Sequence, residues 1–329
     1  LVGIVLIMAL TFITFVLFFA SPIDPARFAC GKNCSPEQRD ETRAALGYDK
    51  PFVVQWAGYV KGLAVGREFP LDPEQRAAAP DQVTHCGAPC LGYSHLDSKT
   101  VNEMVAEALP ITASLAIVAL VMWLIGGVLF GILAAIYQGS LIDRGVVGGT
   151  LVIYAFPSFA IAVFLLQYVA VKWGVFPLPR YTEIADGGLW AWFSNLLLPA
   201  LTLALLYLAG YVRMTRAFVL ESLSEDYIRT AKAKGLKSRT VVFKHALRAA
   251  LTPLVTMTGL DFASLLGGAI ITERVFTYHG LGMLTVDANN TSDLAVLVGI
   301  VLLAGMIVII ANIIVDILYA YIDPRVKVA

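Results

Sequence analysis

The chain has 329 residues, 24 basic and 24 acidic side chains and a formal charge of +0; 58% of residues are hydrophobic, 15% are charged, and the mean hydropathy is +0.75. Soluble domains run at about 45–50% apolar and about 25% charged, so an ordinary soluble enzyme is excluded, and so is a disordered chain. The balanced charge carries no nucleic-acid footprint, and repeated apolar windows predict an all-α, multi-spanning membrane protein.

Six spans are predicted. The first is Leu1–Ala20, without a charge and stopped by Ser21-Pro22. Its length favours a retained helix over a signal peptide. A long loop follows, from about 21 to 107. Within it Ser35-Pro36-Glu37-Gln38 reads as a capping box with Pro at the first helical position, and Gly47 as the stop of that helix. Phe52, Trp56, Tyr59, Val60 and Leu63 recur at helical spacing and predict a second, amphipathic helix, lying on the membrane surface or against the bundle. Residues 65–97, punctuated by Pro and Gly, are expected to be irregular. Thr100-x-x-Glu103 is a further capping box, opening the helix that becomes the second span at about 109–137.

The remaining spans are placed at about 146–171, 196–212, 249–271 and 294–322. Pro157 and Pro253 interrupt two of them, either as bends lining a pore or as tolerated kinks. Gly126-Gly127 and Gly267-Gly268 are read as sites of close helix packing. Asp261 and Asp316 are charges inside spans, expected to face the bundle and to be packed or paired rather than to relay protons; Asn312 lies one turn before Asp316.

Orientation follows from the basic residues of short loops. The segment 213–248 carries nine basic residues against three acids and is expected on the cytoplasmic side. Alternation then places both termini inside, and the 21–107 loop outside with its nine basic and twelve acidic residues. All four cysteines fall in that loop, as Cys30-Gly-Lys-Asn-Cys34 and Cys86-Gly-Ala-Pro-Cys90. Outside the membrane this pattern favours two structural disulfides, with local pairing preferred because the pattern repeats; a four-thiolate metal site or a redox pair are the alternatives. His85 and His95 flank the second pair and are read as ordinary loop histidines rather than zinc ligands.

The informative segment is Ser224-Glu-Asp-Tyr-Ile-Arg-Thr-Ala-Lys-Ala-Lys-Gly235. Ser224 suits an N-cap, the acids and the lysines suit the two ends of the helix dipole, and Gly235 suits a left-handed stop. Ser238 suits the next N-cap, on the way into the fifth span. Spacing alone leaves open whether this is a docking helix or an ordinary basic loop.

Asp226 to Gly235-Leu236, followed by His245-Ala-Leu-Arg248 and Pro253, resembles the coupling loop of ABC-importer permeases, and more narrowly the dipeptide/oligopeptide and nickel group. Ala231 and Gly235 keep the spacing of the general Glu-Ala-Ala-x-x-x-Gly motif, with Arg229 and Thr230 at its first two positions. Further similar motifs are Ser21-Pro-Ile-Asp-Pro25, Leu109-Pro-Ile-Thr112, Gly139-Ser140 with Asp143-Arg144, Leu198-Pro-Ala-Leu-Thr202, Glu273-x-x-Phe276 with Gly280-Leu-Gly282, Asn312-x-x-x-Asp316 and Asp323-Pro-Arg325. His279 departs from the family's common Pro, and the two Cys pairs are not a family hallmark.

The resemblance implies one permease domain over 1–329 in a bacterial inner membrane, with six transmembrane helices and a large, partly helical extracytoplasmic loop between the first two. It implies a second homologous permease chain, two ATPase subunits and an extracytoplasmic binding protein that delivers di- or oligopeptide, with nickel complexes or haem as alternative cargo. The chain itself is expected to be non-catalytic, since it has no Gly-x-x-x-x-Gly-Lys-[Ser/Thr] loop, and ATP hydrolysis, with ATP and Mg, belongs to the partner ATPases; no cofactor or metal is expected on this chain. Asp226, Tyr227, Ile228, Thr230, Ala231 and Gly235 are carried over as the ATPase-coupling helix, with Tyr227, Ile228 and Ala231 as groove contacts. A stand-alone channel or ion-coupled carrier is the competing class, and would leave that helix dispensable.

Overall fold

Nearly every apolar stretch is helical in the computed structural model, which describes residues 2–19, 26, 30, 35–266 and 269–322. Helix α1 (Val2–Phe19) holds the first apolar run. Helix α2 (Pro36–Ala45) begins as the sequence predicts: Gln38 N–H donates to Ser35 Oγ at 3.2 Å, and Ser35 N–H to Gln38 Oε1 at 3.1 Å. It ends at Gly47, whose φ of 68° closes a Schellman turn through Gly47 N to Ala44 O and Tyr48 N to Arg43 O. Helix α3 (Phe52–Val65) starts after Pro51. Its aromatic face packs on α1, with Phe52 and Trp56 5.9 and 5.4 Å from Phe12, and Tyr59 5.1 Å from Phe15.

The stretch expected to be irregular is instead built from two small ribbons and a short helix. Strand β1 (Arg67–Phe69) pairs antiparallel with β2 (Thr84–Cys86), around helix α4 (Pro73–Ala78), which Asp72 caps. Strands β3 (Tyr93–Ser94) and β4 (Lys99–Thr100) form the second ribbon. Strands of two or three residues are too short for an alternation to register. Helix α5 (Val101–Ile136) opens on the expected box: Thr100 N–H to Glu103 Oε2 at 3.0 Å, and Glu103 N–H to Thr100 Oγ1 at 3.3 Å.

The third apolar run is not one straight span. Helix α6 (Leu141–Ala155) and helix α7 (Ser158–Lys172) meet at 98°. Pro157 supplies the reason, because the residue before a proline is pushed out of helical geometry, and Phe156 is extended at φ −83°, ψ 139°. Helix α8 (Ile184–Ser224) contains a left-handed break at Gly188, and Pro199 lies in its interior. Helix α9 (Asp226–Ala233) is short. Helix α10 (Ser238–Leu266) runs past Pro253 without a break, so that proline is tolerated within the helix. Helices α11 (Ile270–Phe276), α12 (Leu281–Thr291) and α13 (Leu294–Ile322) complete the chain. Among the described residues, four helices are long and apolar enough to cross a membrane (α5, α8, α10 and α13), the bent pair would be a fifth crossing, and Gly3–Phe18 is a shorter apolar helix.

The chain divides into two units. The first comprises Leu1–Thr112, Leu266–Ile270 and His279–Ile309, with a core of Leu91, Val101, Val105, Leu281, Val296 and Ile300. Tyr59 Oη donates to Leu91 O at 2.7 Å, and Leu281 N–H to the buried Thr112 Oγ1 at 2.8 Å. The second comprises Ala113–Leu265, Ile271–Tyr278 and Ile310–Ala329. Here α5 and α8 touch through glycine: a Cβ at Gly127 would fall on Tyr211, and one at Gly131 would lie 2.5 Å from Thr215 Cβ and 2.9 Å from the backbone oxygen of Val212. Gly126-Gly127 thus serves packing as predicted, while Gly267-Gly268 lies outside the described residues. The fully buried Trp123 stacks on Tyr207 at 4.7 Å.

Candidate functional site

The predicted helix of the basic loop exists as α9, and all six residues singled out on it lie between 226 and 235. Its N-terminus is shifted by one residue from the expected cap. Ser224 is the last residue of α8, where its hydroxyl donates to Glu221 O at 2.7 Å, so Glu225 occupies the N-cap position, without a side-chain cap bond. The next cap is shifted likewise, with Lys237 in that position and Ser238 as the first helical residue. The C-terminus is as expected. Gly235 has φ 76°, and a Schellman pair runs from Gly235 N to Lys232 O at 2.9 Å and from Leu236 N to Ala231 O at 3.3 Å.

The face assignment needs a correction. Ile228 is 0% exposed and Ala231 7%, both packed with Val241, Ala246 and Leu223 of the same unit. They anchor the helix to its own chain, which leaves Ile228 no surface and Ala231 very little for an external groove. The amphipathic pattern defines an apolar stripe but not whose surface covers it. The exposed side of α9 carries Tyr227, 45% exposed, with Asp226, Arg229 and Thr230. Arg229 Nη1 lies 3.3 Å from Asp226 Oδ1 and the Thr230 hydroxyl donates to Asp226 O at 3.0 Å, both within the helix.

A second feature of this unit was not foreseen. Arg216 on α8 grips Asp143 with two parallel bonds, Nε to Oδ1 at 2.7 Å and Nη2 to Oδ2 at 2.8 Å. Asp143 also accepts from Gly139 N–H at 2.8 Å, while Ser140 Oγ caps α6 by accepting from Asp143 N–H at 3.3 Å. The turn at Gly139, φ 78°, is thereby tied to α8 about two turns before that helix ends. The sequence signal was the Gly139-Ser140…Asp143 pattern; its partner, 73 residues away, had none.

Asp261 is paired as expected, accepting from the buried Tyr211 Oη at 2.8 Å. Asn312 sits half-buried on α13, and the Asp316 side chain lies outside the described residues. Cys86 and Cys90 form the predicted local disulfide, with Cα atoms 5.5 Å apart, which leaves this pair no thiolate for a metal. Cys30 is also disulfide-bonded, and Cys34 lies outside the described residues. The 86–90 loop is held by Asn102 at the start of α5, which accepts from Leu91 N–H at 2.9 Å and donates to Pro89 O at 2.7 Å. His85 lies 3.2 Å from Glu68, and His95 is turned inward.

Known proteins resemble this chain over most of its length. Residues 127–328 match the family described as "Binding-protein-dependent transport system inner membrane component", and residues 1–116 match its N-terminal companion family. The dipeptide transport system permease protein DppB of Escherichia coli (strain K12) is 33% identical over 341 residues, covering 97% of this chain and 94% of the relative. A chain of Brucella abortus (strain 2308) named as a candidate peptide transport system permease is 36% identical over 315 residues, covering 96% and 93%. Among solved structures, two crystal forms of the MetNI methionine ABC transporter align with TM-scores of 0.53 and 0.55 at 17% and 16% identity, covering 68% and 67% of this chain and 97% of each of theirs. At that identity the likeness concerns the fold alone.

Proposed function

This chain belongs to the binding-protein-dependent transport system inner membrane components, the permease subunits of ABC importers, and from that premise we propose that it forms half of a translocation pathway for di- or oligopeptides. The names of its relatives support a peptide cargo. A second permease chain would complete the pathway, two ATPase subunits would drive it, and an extracytoplasmic binding protein would deliver the peptide. The chain crosses the inner membrane six times, with α1 and the bent α6–α7 pair as two of the crossings, both termini and α9 cytoplasmic, and the 21–107 loop outside. On this reading all 329 residues belong to a single permease domain. The chain has no catalytic residue and carries no cofactor of its own.

The observation that carries the coupling role is the form of α9. It is eight residues long, held inward by Ile228 and Ala231, stopped by a left-handed glycine, and presents Asp226, Tyr227, Arg229 and Thr230 outward. An aromatic residue beside charges on a small anchored helix suits a groove on a partner. ATP-driven closure of the ATPases would then move α9 together with the end of α8. The test is purification of the tagged chain in mild detergent, wild type beside Tyr227→Glu, which alters the exposed face and leaves the anchor. Recovery of two ATPases and a second permease with wild type, and loss of the ATPases with the variant, is expected. A chain that comes down alone and passes solute in liposomes without ATP would overturn the reading in favour of a channel or carrier.

A further inference from the structure

The first unit has a cavity of about 240 Å³, partly open to the surface, between α1, the Gly47 turn, α3, β1 and the start of α13. Its lining is mostly apolar, yet Arg67 forms part of the wall. That guanidinium is stacked between rings, 4.5 Å from the centroid of Tyr59 and 5.5 Å from that of Phe69. Its Nη2 donates to Cys90 O at 3.1 Å and the Tyr59 side chain is a further polar neighbour, while its Nε is buried with no partner. Among the described residues no carboxylate lies within ion-pair distance of it, and the adjacent Glu68 is engaged by Arg76 and His85 at 3.2 Å each. A guanidinium offers five donors, and a cation in an apolar wall needs an anion or water to complete it. Phe15 of the apolar helix α1 lines the cavity, and the same helix exposes Phe12, Ile13, Val16 and Leu17 at 38–70%. A volume of this size exceeds what a lone inorganic ion fills, since each water takes about 30 Å³.

We propose that this cavity is a phospholipid site: the phosphate of an anionic membrane lipid sits against Arg67, and its first methylenes lie on Phe15, Val54 and Val298. It rests on the reading of this chain as membrane-embedded, and is independent of cargo and of the ATPase contact. The shared chemistry is an anionic oxygen cluster, which free phosphate or the carboxylate of a peptide would also present. The experiment uses the full chain with its co-purifying subunits, delipidated in detergent and titrated with short-chain phosphatidylglycerol, short-chain phosphatidylcholine, inorganic phosphate and Ala-Ala, read by native mass spectrometry and thermal shift. Phosphatidylglycerol is expected to bind one per chain and raise the melting temperature, with phosphatidylcholine weaker. Arg67→Gln should weaken it at least about tenfold, the loss of a charge-assisted contact. Gly58→Leu adds bulk at the cavity lining while keeping Arg67 itself, because a Cβ at Gly58 meets nothing within 4 Å, and should weaken binding even if Arg67→Gln fails to fold. Equal phosphatidylglycerol binding by wild type and both variants would reduce the lipid to an unspecific belt and overturn the proposal. Saturation by phosphate or Ala-Ala in place of the lipid would overturn it in favour of a free-anion or peptide-carboxylate site.

Discussion

Ile228 is the residue on which α9 hangs. The helix has eight residues, well below the length at which an isolated helix holds together in water. Its attachment is the small cluster of Ile228, Ala231, Val241 and Ala246, in which Ile228 supplies the largest side chain and is 0% exposed. Ile228→Ala removes three buried carbons, at about 0.8 kcal/mol each, plus part of a cavity term, since a site this near the surface can collapse. The sum is about 2–3 kcal/mol, a roughly 30- to 150-fold rise in the detached population of α9 at about 1.4 kcal/mol per factor of ten. Hydrogen exchange of the amides in 226–236 reports that population directly. Exchange there should accelerate by that factor while α8 and α5 keep their protection. Tyr227→Ala, which trims an exposed ring, should leave exchange nearly unchanged but weaken ATPase recovery. Unaltered exchange in Ile228→Ala would refute the reasoning, because α9 would then be held by something other than its buried face.

Other consequences are equally accessible. Gly131→Ala should cost about 1–3 kcal/mol, the usual penalty of overpacking, because its Cβ meets Val212 backbone at 2.9 Å; Gly145→Ala, with nothing within 4 Å, is the neutral control, and thermal melts in detergent separate them. Arg216→Lys keeps the charge but loses the two-pronged grip on Asp143, so protease or thiol-probe access to residues 137–143 should rise, and Arg216→Ala should raise it further. Burial holds the His95 imidazole below its ordinary value of 6.5, against a weaker opposite pull from Asp293. The unfolded chain therefore takes up that proton first. The contribution is intact above about pH 6.5, is lost as pH falls below it, and levels off under the folded-state value. His95→Gln should flatten that limb of the melting-temperature profile between pH 7 and 5, and an unchanged profile would show that other groups set it.

Much of the local punctuation was legible. Ser35 with Gln38, Gly47, Thr100 with Glu103, and Gly235 each satisfy backbone groups within a few residues, so their meaning does not depend on distant partners. The apolar runs located the helices for the same reason. The 98° turn in the third run was not decided, because an apolar run carries no direction and Pro157 is compatible with a kink or a corner. Ser224 was misplaced because a serine suits both a cap and a last helical turn, and here its hydroxyl returns to Glu221 O. The inward face of α9 and the Arg216–Asp143 grip were invisible because each depends on a surface brought in by the tertiary fold.

Helix α8 has a mechanical aspect. Below Pro199, where the helical hydrogen-bond ladder lacks one donor, the 25 residues from 200 to 224 continue without another break before the chain turns at Glu225 into α9. At 1.5 Å per residue that arm is about 37 Å long, so a tilt of about 8° at the proline sweeps its far tip through about 5 Å. Arg216 holds the 139–143 turn to the arm through Asp143, eight residues before that tip, so such a tilt would draw the turn with it. A fulcrum near one end, a stiff shaft and a payload at the other make α8 an amplifier: sub-ångström adjustments around Pro199 become displacements the size of a side chain at α9, and equal displacements imposed on α9 return to Pro199 as small, forceful ones.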